Sequence, residues 1–172
     1  MRVSIYWYIV GLISSCTLLA IAYFYFQNTL LLTPCPLCVF QRVALVLVAL
    51  FCLSAIIHRP TVMGHRLYSL LIFISSLLGV GIAGRQVWLQ HLPADQVPAC
   101  GIDPIYQWLQ TQGEVGFFQM VLTTLQGSGD CAEVNWTFLG LSIGGWMLAI
   151  FSIMAVIAIA LMSKPPISHT HR

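Results

Sequence analysis

"PCPLCVFQRVALVLVALFCLSAIIH", Pro34 to His58, sets two cysteines two residues apart at the head of an apolar run that carries no charge between Arg42 and Arg59. Its apolar part, Val39 to Ile57, is about as long as the roughly 20 residues of helix that cross a bilayer. Three further runs have the same character: Trp7 to Leu32, Leu67 to Ala83 with a flank through Trp88, and Phe138 to Met162. The expected fold is an all-α membrane protein, a single domain over residues 1–172. Its four transmembrane helices are predicted at 7–32, 39–57, 67–88 and 138–162, with loops at 33–38 and 89–137.

Composition agrees. Of 172 residues 59% are apolar and 7% charged, against about a quarter charged in soluble domains. A net charge of +2 gives no case for nucleic acid. "ISSC", ending at Cys16, has some likeness to a lipoprotein cleavage box. The apolar run continues well beyond Cys16, so a retained first helix is expected.

Charge placement predicts the orientation. Arg2, Arg59, Arg66, Lys164 and Arg172 lie at the two ends of the chain or in the 58–66 connection. By the positive-inside rule these regions are cytoplasmic, and both termini with them. Asp95, Asp103, Glu114, Asp130 and Glu133 all fall in the long third connection. That connection and the Cys35–Cys38 turn therefore share the outer face.

Four of the six cysteines, Cys35, Cys38, Cys100 and Cys131, fall on this outer side. Cys16 and Cys52 sit in mid-membrane runs and are expected to act as small hydrophobes. In an oxidising compartment an even number of thiols reads as disulfides, though six cysteines allow fifteen pairings. Pro36 suits the first turn of a helix, which makes Cys35 the cap and puts Cys38 in the first turn. Unpaired N–H groups and the helix dipole there favour a thiolate, and Arg42, four residues on, is expected to favour it further. Arg42 and Arg85 are the basic side chains of the outer edge. A charge near hydrocarbon costs several kcal/mol (about 3 at a helix centre on insertion scales), so a functional partner is expected, with snorkelling to headgroups as the alternative.

Cys100 in "VPACGID" and Cys131 in "SGDCAE" sit in turn-like surroundings. A bond between them would close a loop of about thirty residues and stabilise by roughly 3 to 4 kcal/mol, so a permanent staple stays open as a reading. The stretch between them, with Tyr106, Trp108, Leu109, Phe117, Phe118, Met120, Val121 and Leu125, is too interrupted to span. It suits an interfacial helix, or a small folded outer subdomain.

"PCPLCVFQR" and "SGDCAEVNWTFLGLSIGGW", in these topological places, resemble the disulfide bond formation protein B (DsbB) family over nearly the whole chain. The resemblance implies a quinone-dependent thiol oxidase of the bacterial inner membrane, with its redox cysteines on the periplasmic side. Cys100–Cys131 would oxidise a soluble thioredoxin-fold partner like DsbA, Cys100 being the sulfur attacked. Electrons would pass to Cys35–Cys38 and on to ubiquinone or menaquinone of the membrane pool. Cys38 would lie against the quinone ring and Arg42 would help bind it. His91 in "WLQHLP" is a further candidate there, able to exchange a proton as quinone is reduced. Other readings are a vitamin K epoxide reductase-like enzyme, a scaffold braced by disulfides, and a structural zinc site of four thiolates. No resident metal is expected. The C-x-x-C between the first and second helices favours DsbB.

Overall fold

A computed structural model describes residues 2–93, 96, 116–127 and 129–163. Cys100, with most of the connection around it, and the C-terminal residues from Lys164 on lie outside them. Helix α1 (Arg2–Ala20) continues as a π-helical segment (Ile21–Thr29). Helices α2 (Pro36–His58) and α3 (Val62–Gln90) follow, then the shorter α4 (Phe117–Gln126) and α5 (Gly129–Ala132). A two-stranded hairpin, β1 (Thr137–Phe138) with β2 (Leu141–Ser142), leads into α6 (Ile143–Ser163). Among the described residues, Ile5–Thr29 and the helices α2, α3 and α6 are long and apolar enough to cross a membrane. The protein is a multi-pass membrane protein with a four-helix core.

The boundaries differ from those expected, for local reasons. Helix α2 begins at Pro36 rather than Val39, because a proline at the first helical position needs no N–H partner. The last span starts at Ile143 rather than Phe138. Thr137 pairs with Ser142 and Phe138 with Leu141, and Leu139 and Gly140 between them take φ values of 51° and 79°. Positive φ at both central residues makes the tight turn that matches strand twist, and it ends any helix there. The first span widens toward its end: Leu30 N–H bonds the Tyr25 carbonyl at 3.0 Å, five residues back rather than four.

Helix α2 is apolar on all sides beyond Arg42, and burial tells its faces apart. Val43, Val46, Leu50, Leu53 and Ile57 are exposed, at alternating steps of three and four. Gln41, Ala44, Leu45, Val48, Cys52 and Ala55 are buried. A helix apolar all round belongs in lipid or a large core, and in lipid the inner face is marked by small and polar residues. Cys52 lies in this packed interior, in one core cluster with Tyr8, Val48, Ala55, Ile72 and Ala158. On α4, Phe118, Leu122 and Leu125 are exposed while Thr124 is buried. That outward apolar stripe is the pattern of a helix lying in a bilayer interface.

Close packing of α3 on α6 centres on Gly79 and the fully buried Phe151. At the end of the bundle away from the cysteine pair, the Tyr8 hydroxyl bonds His65 Nδ1 at 2.5 Å and Ser69 Oγ at 3.1 Å. His65 Nε2 donates to the Leu161 carbonyl at 3.1 Å, so one ring ties α1, α3 and α6 together. Ser75 and Ser76 return their hydroxyls to carbonyls four residues back, at 2.9 and 2.8 Å, and so meet their own hydrogen-bonding needs inside the core. A Cβ at Gly79 would stand 2.5 Å from the Phe151 ring, whereas one at Gly81 would meet nothing within 4 Å. Gly79→Ala should lower unfolding stability in micelles by about 1–3 kcal/mol. Gly81→Ala should be neutral or slightly stabilising in the same thermal melts.

Candidate active site

Cys35 is the N-cap of α2, with φ −67° and ψ 158°, and Pro36 follows in the first helical turn. A helix start leaves N–H groups without carbonyl partners. Here the N–H of Cys38 donates to the Cys35 sulfur at 3.4 Å. The cap thus folds the two sulfurs together, 2.8 Å apart as free thiols, with Cys35 S–H directed at Cys38. The sequence placed both cysteines in these roles.

Cys131 completes the cluster. It is fully buried on α5 and packs with Cys35, Leu37 and Leu89. The Cys35 thiol is pushed well above its ordinary range, foremost by the Cys131 sulfur beside it, then by Cys38 and by burial. Cys35 therefore keeps its proton and lies between the other two sulfurs. Three of the four cysteines singled out in the sequence meet here, and Cys100 lies outside the described residues. Gly127, at φ 80°, lets the chain turn from α4 into α5; a Cβ there would collide with Leu89 at 2.4 Å.

Arg42 does not turn its hydrogen bonds to Cys38. Its guanidinium donates to Gln27 Oε1 at 2.9 Å and to the Ala22 carbonyl at 3.3 Å, both in the π-helical segment. Besides the Cys35 thiol, the side-chain donor at Cys38 is Gln86 on α3, whose Nε2 lies 3.4 Å from the Cys38 sulfur and 3.7 Å from Cys35. Gln86 Oε1 accepts from Gln41 Nε2 at 2.7 Å. Both amides are buried, at 4% and 2% exposure. Sequence reading missed this pair; the signal was a glutamine in each of two apolar runs, where an amide needs a partner.

Two cavities meet at Cys38. The larger, about 340 Å³, lies between the first span, α2 and α6. Ile21, Ala22 and Phe26 line it on one side, Cys38, Gln41 and Arg42 on another, and Trp136, Phe138, Trp146 and Met147 on a third. Apart from Thr33, Cys38, Gln41 and Arg42 the walls are apolar or aromatic. Phe26 meets Trp136 edge-on at 5.1 Å, and Trp136 stacks on Phe138 at 6.0 Å. The smaller cavity, about 60 Å³, touches Cys35, Cys38, Gln86, Gln90, Asp130 and Glu133. Cys38 therefore stands between an apolar chamber and a polar one.

His91 caps α3, is exposed, and donates from Nδ1 to the Val87 carbonyl at 2.8 Å. It lines neither cavity. Arg85 donates to the Leu125 carbonyl at 3.3 Å and lies 4.3 Å above the Trp88 ring, joining α3 to α4.

The family profile described as "Disulfide bond formation protein DsbB" matches residues 4–161. Proteins named disulfide bond formation protein B from Marinobacter nauticus, Nitrosococcus oceani and Hahella chejuensis are 46%, 43% and 49% identical to this chain. The alignments cover 86%, 95% and 83% of this chain, and 84%, 95% and 84% of those proteins. Three thiols meet at the rim of a four-helix membrane bundle, and this chain belongs to the DsbB family, as a membrane thiol–disulfide oxidoreductase.

Proposed function

We propose that the protein reoxidises a soluble thioredoxin-fold dithiol oxidase of the DsbA kind and delivers the electrons to a membrane quinone. The observation that carries this reading is the position of Cys38, which lines a largely apolar cavity while its partner Cys35 packs against Cys131. A sulfur so placed can exchange with thiols on one side and meet a hydrocarbon-soluble oxidant on the other. Cavities of about 300–1,000 Å³ with a few polar groups suit small aromatic ligands, and this one falls in that range. Aromatic walls suit a quinone ring, and Arg42 offers it N–H donors. Two of the guanidinium's five N–H groups are committed to Gln27 and Ala22.

In this reading the partner's thiolate attacks Cys100 of a Cys100–Cys131 disulfide, forming a mixed disulfide and releasing the Cys131 thiolate. Cys131 then attacks Cys35 of the Cys35–Cys38 disulfide, with Cys38 as the leaving group. The contact of Cys131 with Cys35 supports that choice of sulfur. The partner's second thiol attacks the mixed disulfide, and the partner leaves oxidised while Cys100 becomes a thiol. Cys100 closes again on Cys131, and Cys35 and Cys38 are left as a dithiol. Quinone supplies the final oxidation, accepting two electrons and two protons as the Cys35–Cys38 bond re-forms. The polar cavity beside the pair gives those protons room to reach water.

The cysteine end of the bundle then faces the periplasm of a bacterial inner membrane. Asp130 and Glu133 lie at that end, and Arg59 and Arg66 at the other, as the positive-inside rule asks. A dithiol as poorly reducing as that of DsbA, at about −120 mV, is not reoxidised by ordinary thiol buffers, whereas a membrane quinone can reoxidise it. (That potential is the one known for DsbA itself.)

Arg42→Ala should raise the KM for a short-chain quinone by about tenfold or more, as expected for a lost hydrogen bond from a charged donor. Thiol exchange with the partner should change less than about twofold; equal loss of both half-reactions would remove Arg42 from quinone binding. Cys131→Ser should accumulate a mixed disulfide joining Cys100 to the partner, seen by non-reducing electrophoresis and peptide mass. An adduct through Cys35 or Cys38 would reverse the order of the relay.

A further inference from the structure

We infer that Gln86 is a catalytic side chain of the Cys35–Cys38 pair, donating to the Cys38 sulfur when that sulfur is charged, and that Gln41 is the positioning residue that sets the direction of its amide. The inference deepens the proposed function and rests on it for the direction of electron flow. An amide has a donor end and an acceptor end, and which end faces a sulfur decides whether it favours or opposes a thiolate. Gln41 Nε2 occupies the Gln86 oxygen at 2.7 Å. Gln86 must then present its NH₂ to the sulfurs, and does so at 3.4 Å from Cys38 and 3.7 Å from Cys35. Reversed, the amide would set its oxygen against Cys38 and another donor against the Gln41 NH₂.

Three elements fix this arrangement. Gln41 lies on α2 one turn after Cys38, and Gln86 lies on α3. On α6, Gly144 leaves the space: a Cβ there would stand 3.1 Å from the Gln86 amide carbon. Two amides this deeply buried need bonded partners, and here the sulfurs are among them. A hydrogen bond to a charged acceptor is roughly twice as strong as one to a neutral group. The Gln86 bond is therefore worth most in the reduced state with Cys38 charged, and least in the disulfide. It pulls electrons toward this pair. Gln41 also lines the larger cavity, so the two amides connect the cavity wall to the sulfur that faces it.

A simple interhelical contact would hold α2 to α3 without touching the redox equilibrium, which separates the two roles. The full chain, purified free of quinone in micelles, is equilibrated with dithiothreitol buffers, and the state of Cys35–Cys38 is read by peptide mass after alkylation. Gln86→Leu should shift the pair toward disulfide by about tenfold or more. Iodoacetamide should label Cys38 more slowly by a similar factor. Gln41→Leu should move both readouts in the same direction by less, because the amide remains but is free to turn. Gln86→Met, nearly isosteric and flexible, serves if the leucine variant does not fold. Equilibrium and labelling within twofold of the unaltered protein in these variants, whatever their melting points, would overturn the inference. Quinone reduction by the unaltered protein is assayed separately, so failure of the quinone reading would appear there and not in these measurements.

Discussion

The active end of this protein depends on one helix cap. Cys35 closes α2 with its sulfur, taking the N–H of Cys38, and Pro36 fixes the first turn. Caps are usually oxygen side chains, Ser, Thr, Asp or Asn. With a sulfur in that role, the structural need of a membrane helix and the geometry of a redox pair are met by the same atoms. Cys38 cannot leave the helix edge without unwinding the first turn, and Cys35 cannot leave Cys38 without uncapping it.

The remaining features of the site build on that fixed point. Cys131 reaches it on the short α5, turned in by Gly127. Arg42 stands one turn below and holds the π-helical end of the first span through Gln27 and Ala22, so this span is drawn against α2 where the larger cavity opens. The hairpin closes that cavity with Trp136 and Phe138. Ser142 anchors it, donating to Gln90 at 2.6 Å, and the Trp146 indole donates to the Phe138 carbonyl at 3.0 Å. The segment that carries Cys131 thus leads directly into the wall of the chamber that Cys38 faces.

The spans, the cap and the clustering of cysteines at one end were legible because each rests on local pattern: apolar length, Pro36 after Cys35, and the placement of charge. What could not be read depended on distant partners. The i,i+4 spacing directed Arg42 at Cys38, but a widened helical segment brought Gln27 within reach, and nothing in the periodicity of "IAYFYFQNT" announces that widening. Gln41 and Gln86 lie far apart in sequence, and a single amide in an apolar run says only that it needs a partner. The apolar alternation of "TFLGLS" looked like the start of a helix until Leu139 and Gly140 turned it into a hairpin. His91 was singled out for its chemistry and its place near a helix end; it caps that helix and points to its own backbone.

The central claim is that electrons leave the thiols through Cys38 into a hydrocarbon-soluble acceptor. Its most direct test is a single turnover without any protein partner. Quinone-free protein, fully reduced, is mixed under anaerobic conditions with a short-chain quinone, and quinol formed and thiols remaining are both counted after acid quench. The account predicts one quinol for each disulfide regained, two thiols lost per quinol, and no quinol from Cys38→Ser. Thiols that persist beside unreduced quinone in the unaltered protein would contradict it.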